Sequence, residues 1–157
     1  MKIAYLEISP RLTGKTTRLC ALARCVLAQG KTVIFVCVQS AVPYVTSLLP
    51  GAVILADGFP EPDDVSLTDA VWFYDEFDCL KTTVVREGAY YASTAARLRA
   101  LDVDTPESDL LLRLIQAYGN RHERHLWPFD VTDSVRQHRP TMSPACFRMS
   151  MLGEYLA

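Results

Sequence analysis

The chemistry in this chain is concentrated in three short stretches. The first is Ser9-Pro10-Arg11-Leu12-Thr13-Gly14-Lys15-Thr16-Thr17, which has a glycine, a lysine and two hydroxyls in the spacing of a phosphate-binding loop. In such a loop the backbone N–H groups of Thr13 to Thr16 wrap phosphates at a helix N-terminus. Lys15 reaches the β- and γ-phosphates of a nucleotide, and the Thr16 hydroxyl takes one position on Mg²⁺. The full pattern has glycine where Ser9 stands, and serine resists a positive φ more than glycine does. The second stretch is Asp75-Glu76, at the end of the apolar run Ala70-Val71-Trp72-Phe73-Tyr74. There the aspartate would hold Mg²⁺ through water, and the glutamate would orient and polarise an attacking water. The third is the hydroxyl pair Ser93-Thr94, after Ala89-Tyr90-Tyr91-Ala92.

Each stretch needs an element to position it, and apolar periodicity supplies candidates. Ile3 to Ile8 reads as a strand leading into the loop. Leu19, Leu22, Val26 and Leu27 mark one face of a helix that Gly30 closes. Thr32 to Val38 is a continuous β-rich run, as in a strand buried on both faces of a parallel sheet. A short helix is expected over 41–48, with Pro43 in its first turn, and a third strand over 52–56. Residues 57–64 read as a loop, with two prolines, a glycine and four acids. Short helices are expected over 76–85 and 95–101. A further helix is expected to start with Thr105 as N-cap and Pro106 at the first position, carrying Leu110, Leu111, Leu114 and Ile115. Residues 121–140 read as irregular, with a short strand at Leu126-Trp127. A last helix begins at Ser143-Pro144. Asp78 reads as a surface or helix-start charge.

The 157 residues suffice for one domain, 1–157, with a substantial core. Half the residues are apolar and 22% are charged, an ordinary balance for a soluble protein, so the expected location is cytoplasmic. No apolar run is long enough to span a bilayer, and no signal peptide is evident. The five cysteines (Cys20, Cys25, Cys37, Cys79, Cys146) form no C-x-x-C pair and read as small hydrophobes in a reducing compartment. The spacing of His122, His125 and His138, with no acid or cysteine cluster, argues against a metal site. A net charge of −2 gives no global basic field, so any contact with nucleic acid needs a local patch.

The three stretches, in this order and each at a strand end, make the chain resemble the additional-strand P-loop ATPases. The closer resemblance is to the ATPase domain of bacteriophage large terminase subunits, the DNA-packaging motors. It is carried by Arg11-Leu12-Thr13-Gly14-Lys15-Thr16-Thr17, by Tyr74-Asp75-Glu76-Phe77-Asp78 and by Tyr91-Ala92-Ser93-Thr94-Ala95. The stretch from Met142 to Tyr155 also looks like the segment that closes such a domain. The resemblance implies an α/β fold of three layers, α/β/α. Its central sheet would be mostly parallel, with the RecA- and terminase-like strand order that puts the Ser93-Thr94 strand between the loop strand and the Asp75 strand. It also implies ATP and Mg²⁺ as cofactors, with Ser9 to Thr17 around the nucleotide and Thr16 and Asp75 on the metal. Lys15, Glu76 and Arg11 would be catalytic, Arg11 sensing the γ-phosphate. Ser93 and Thr94 would couple hydrolysis to movement. Implied partners are double-stranded DNA and either further copies in a ring or other packaging proteins; no membrane is implied. The chain departs from the family in lacking the N-terminal segment that helps hold adenine. It also stops where a nuclease would begin, so no DNA cleavage is expected.

Two other functions compete with a motor ATPase. A small P-loop kinase or nucleotide phosphotransferase would use Arg121, Arg124 and Arg136 as a lid, whereas a glutamate directly after the Asp favours water as acceptor. A non-catalytic scaffold would have no use for Lys15, Thr16, Asp75 and Glu76 together. For an arginine supplied by a neighbouring copy, the candidates are Arg86, Arg97, Arg99 and Arg113.

Overall fold

The computed structural model describes residues 1–60 and 69–157. Five short apolar runs become strands: β1 (Tyr5–Ile8), β2 (Val33–Cys37), β3 (Val53–Ala56), β4 (Val71–Asp75) and β5 (Tyr90–Ser93). They form one all-parallel sheet in the order β1-β5-β4-β2-β3. The hydroxyl-bearing strand β5 therefore lies between the loop strand β1 and the Asp75 strand β4, as the resemblance implied. A single parallel bridge, Glu7 to Glu123, extends the sheet beyond β1.

The helices are α1 (Lys15–Ala28), α2 (Val42–Leu48), α3 (Leu110–Ala117), α4 (Thr132–His138) and α5 (Pro144–Leu152). Parallel strands need crossovers; α1 supplies the one from β1 to β2 and α2 the one from β2 to β3, while turns and bends join β4 to β5. The two sheet faces carry separate cores. Leu19, Cys20, Ala23 and Val26 of α1 and Val45 of α2 pack on Val33, Phe35, Cys37, Phe73 and Ala92. On the other face Leu111, Leu112 and Leu114 of α3 share a cluster with Leu6, Ile8, Ile34, Val36, Tyr74 and Tyr91. Helix, sheet and helix thus make three layers.

Aromatic side chains fix the register of the central strands. Tyr74 stacks on Tyr91 at 5.1 Å between ring centres, and Phe73 on Tyr90 at 4.4 Å. A one-residue slip would turn each strand's side chains to the opposite face and undo both cores. In this register Asp75 lies level with Ala92, and Ser93 with Ile8. The loop after β1, the hydroxyls after β5 and the acids at the end of β4 therefore leave the sheet at one edge and nearly one height.

Several local expectations are corrected. The segments 76–85 and 95–101 are turns and bends, not helices. Helix α3 starts at Leu110, five residues after Thr105, and its N-cap is Asp109, whose carboxylate accepts from the Leu112 N–H at 3.0 Å. The pairing expected at Leu126-Trp127 occurs at Glu123, and α4 forms in the segment read as irregular. The loop expected over residues 57–64 lies, from residue 61 onward, outside the described residues. Among the described residues, no helix is long and apolar enough to cross a membrane.

Candidate active site

The loop between β1 and α1 is shaped by two left-handed residues, Leu12 at φ 58° and Gly14 at φ 83°. Left-handed residues within a turn rotate successive N–H groups to one side, making a concave nest for an anion. Among the described residues, the N–H groups of Thr13, Gly14, Lys15 and Thr16 meet no protein acceptor. The strain of a left-handed leucine is not repaid by burial, since Leu12 is 93% exposed. The concern over serine in place of glycine is corrected, because the backbone of Ser9 is not left-handed.

Ser9 is instead fully buried, and it anchors the loop. Its N–H donates to the Ser93 carbonyl at 3.1 Å, its carbonyl accepts from Thr94 Oγ1 at 3.0 Å, and its Oγ accepts from the His125 N–H at 2.9 Å. Pro10 has no N–H, and its carbonyl accepts from Thr13 Oγ1 at 2.9 Å and Lys15 Nζ at 3.1 Å. Ser9 and Pro10, both expected to bind the nucleotide, thus frame the loop with their polar groups turned to protein. Thr17 sits exposed in the first turn of α1.

Lys15 is buried, with 5% exposure; its ammonium donates to the Pro10 carbonyl and to Thr94 Oγ1 at 2.7 Å, and it forms an ion pair with Glu76 Oε1 at 3.4 Å. Glu76 follows β4 in a left-handed conformation, φ 54°, which turns its side chain back towards β5. Its Oε2 accepts from the Thr94 N–H at 3.1 Å and from Ser93 Oγ at 3.3 Å. The hydroxyl pair after β5 therefore touches both the loop lysine and the glutamate. Arg11 is exposed and lines a cleft of about 740 Å³ with Lys15, Glu76 and Thr94. Val38, Cys79, Ala95 and Met149 add apolar surface to the lining of the cleft.

The donor set fits a magnesium ion. The Thr16 hydroxyl donates to Asp75 Oδ2 at 2.7 Å, so the two expected ligands are adjacent. Asp75 Oδ1 is buried and has no hydrogen-bond partner among the described residues, an open acceptor for a metal-bound water. One carboxylate and one hydroxyl are the sparse protein set with which magnesium sites are built when phosphates and water supply the rest. Burial pushes the Asp75 carboxyl up to about 6 against the lowering effect of the Thr16 hydroxyl, and neighbouring Glu76 adds to the rise. A divalent cation there would offset that cost.

Three features of the site were not evident in the sequence. Helix α5 closes over the loop, where the Ser150 carbonyl accepts from the Arg11 N–H at 2.8 Å. Gly153, left-handed at φ 66°, ends α5 so close to the loop that a Cβ would meet Pro10 Cδ at 2.7 Å. A glycine just past a helix is a visible stop signal, but nothing in its spacing names Pro10 as the neighbour. Asp78 is not a surface charge: Arg99, 3% exposed, donates to it at 2.5 Å and 2.8 Å and to Asp109 at 3.1 Å. That burial removes Arg99 from the arginines available to a neighbouring copy. The other three candidates make bonds within the chain. Arg86 lies 3.8 Å over the Trp72 ring, Arg97 is paired with Asp104 and Asp109, and Arg113 donates to the carbonyls of Pro106 and Glu107. Compared with known proteins, the chain matches no family model, no curated protein and no solved structure.

Proposed function

We propose that this chain is a Mg²⁺-dependent, ATP-hydrolysing P-loop motor domain of the viral DNA-packaging type. One observation carries the reading. At one edge of a parallel sheet, Lys15, Thr16, Asp75, Glu76 and Thr94 form a connected set around a loop in which the N–H groups of Thr13 to Thr16 have no acceptor among the described residues. Such edges are where open α/β sheets bind ligands.

In this reading the N–H groups of Thr13 to Thr16 hold the phosphates, and Lys15 leaves Thr94 and Glu76 for the γ-phosphate. Mg²⁺, when bound beside Thr16 and Asp75, would neutralise charge developing on the phosphates. Glu76 holds the attacking water by accepting its hydrogen bond. Arg11, exposed at the mouth of the cleft, adds positive charge near the γ-phosphate. Because Ser93 and Thr94 touch both Lys15 and Glu76, exchanging their contacts on turnover would be felt along β5.

One observation favours a small-molecule phosphotransferase instead. The cleft that Lys15 lines is partly apolar, and its volume of about 740 Å³ lies in the range of small-ligand sites, room enough for an acceptor. Against it, the arginines read as a lid are engaged elsewhere. Arg121 stacks over Tyr118 at 4.7 Å, Arg124 donates to the Leu152 carbonyl, and Arg136 pairs with Asp133. The deciding experiment is an ATPase assay with and without double-stranded DNA, run beside a screen of nucleoside acceptors. Phosphate release to water supports the motor reading. A phosphorylated acceptor replaces it with the second reading.

A further inference from the structure

We infer that Arg18, held by Glu7, is a positioning residue that presets the phosphate cradle; the inference rests on the nucleotide-binding reading above. Glu7 stands in the middle of β1 and is fully buried, where an apolar side chain is the rule. Its carboxylate is held by a bidentate fork, Arg18 Nη2 to Oε1 at 2.5 Å and Nε to Oε2 at 3.1 Å, and it also accepts from the Tyr5 hydroxyl at 2.9 Å. A buried ion pair of this kind is often no more stabilising than a well-packed apolar pair, so stability alone does not account for it.

The third arm of the guanidinium accounts for it. Arg18 Nη1 donates to the Thr13 carbonyl at 2.6 Å. The Thr13–Gly14 peptide is trans, so its N–H points opposite to that carbonyl. Drawing the Thr13 oxygen towards Arg18 therefore turns the Gly14 N–H to the other side, where it has no protein acceptor among the described residues. The guanidinium packs beside Gly14, 3.4 Å from where a Cβ would stand. Because the fork is planar and rigid, fixing two arms on Glu7 fixes the third. The sheet thereby sets the orientation of a peptide in the loop before any phosphate arrives, which lowers the ordering cost of binding.

The test uses the whole chain, with inorganic pyrophosphate and ADP as probes in calorimetry and ATP in turnover. Arg18→Lys keeps a cation beside Glu7, but an ammonium cannot hold Glu7 and the Thr13 carbonyl in one rigid fork. We expect a near-normal melting temperature and pyrophosphate and ADP affinities weakened about 10-fold, the worth of one charge-assisted hydrogen bond. KM for ATP should rise by a similar factor, with kcat within about 2-fold, the pattern of lost ground-state binding. The pair Glu7→Gln with Arg18→Gln removes both charges and leaves none buried alone, so it reports the same loss if Arg18→Lys fails to fold. Wild-type affinity in a folded variant of either kind overturns the positioning role while nucleotide binding stands. A wild-type chain that binds neither probe overturns the nucleotide-binding reading and this inference with it.

Discussion

Lys15 Nζ donates to Thr94 Oγ1 across 2.7 Å, joining the loop after β1 to the residue after β5. The Thr94 hydroxyl donates its own hydrogen bond to the Ser9 carbonyl, so its oxygen accepts from lysine. The ammonium also donates to the Pro10 carbonyl and pairs with the Glu76 carboxylate. A phosphate entering the loop must take Lys15 from these partners, which ties nucleotide arrival to the state of β5 and of Glu76.

Replacing Lys15 with alanine should abolish turnover and leave the fold in place. Thr94 keeps its bond to Ser9, and Glu76 keeps the Thr94 N–H, so no buried acceptor loses its last partner. What disappears is the one buried cation of the cradle, and the loss should be about 10³-fold or greater in kcat. Steady-state ATPase measured beside a thermal melt checks both halves. Wild-type turnover in a folded Lys15→Ala protein would remove the phosphate-loop assignment.

Glu76→Gln should separate binding from hydrolysis. The amide oxygen of glutamine can still accept from the Thr94 N–H, and Asp75 with Thr16 is untouched. ATP affinity should stay within a few-fold of wild type, while hydrolysis falls about 10²-fold or more. Normal hydrolysis would place water activation elsewhere and strengthen the phosphotransferase reading.

Asp75→Asn should stabilise the ligand-free protein in a pH-dependent way. Burial raises the Asp75 carboxyl from its ordinary 3.8 to about 6. The raised value means that the folded state holds the proton more tightly than the unfolded chain. The associated stability is complete below about pH 4 and is lost as pH rises through about 6. A shift of about two units, at about 1.4 kcal/mol each, makes the charged Asp75 cost about 3 kcal/mol at pH 8. The asparagine protein should melt several degrees above wild type at pH 8, with the gap closing by about pH 4. Melts without metal or nucleotide at both pH values test this, and a gap that does not change with pH would contradict it.

Much of this site was legible because its residues sit at strand ends, and continuous apolar runs such as Val33 to Cys37 declare buried parallel strands by composition alone. The loop residues follow from Gly14-Lys15-Thr16 in the same way. What the sequence hid depends on contacts between distant segments. Arg99 reads as a helix charge until Asp78, 21 residues away, is seen to take its guanidinium. Ser9 reads as a weakened glycine until His125 and Thr94 are found to bond it. The turns over 76–85 and 95–101 were misread as helices because local composition does not report that Asp78 captures the Ala96 N–H at 2.6 Å. That bond, with the Arg99 guanidinium on the same carboxylate, joins the two segments to each other.

Turnover per chain should be slow in isolation and rise steeply on assembly. A packaging-type motor completes its site with an arginine from a neighbour, a contribution of about 10³ to 10⁵ in rate in other nucleotide hydrolases. Among the described residues, Arg11 is the only arginine that lines the cleft with Lys15 and Glu76, and one loop arginine replaces part of that charge. Arg86, Arg97 and Arg113 are engaged within their own chain, so one of them would have to leave Trp72, Asp104 or the Pro106 carbonyl to serve another copy. The net charge of −2 leaves little non-specific affinity for duplex DNA, since that affinity scales with the number of phosphates neutralised. DNA alone should therefore stimulate weakly at about 0.15 M salt and more at low salt, through a local patch. The measurement is ATPase rate per chain against protein concentration, with and without duplex DNA, at two ionic strengths. An upward-curving dependence on concentration supports a site completed between copies. A rate per chain that stays flat under all these conditions, together with γ-phosphate transfer to a small acceptor, would reject the motor in favour of a phosphotransferase.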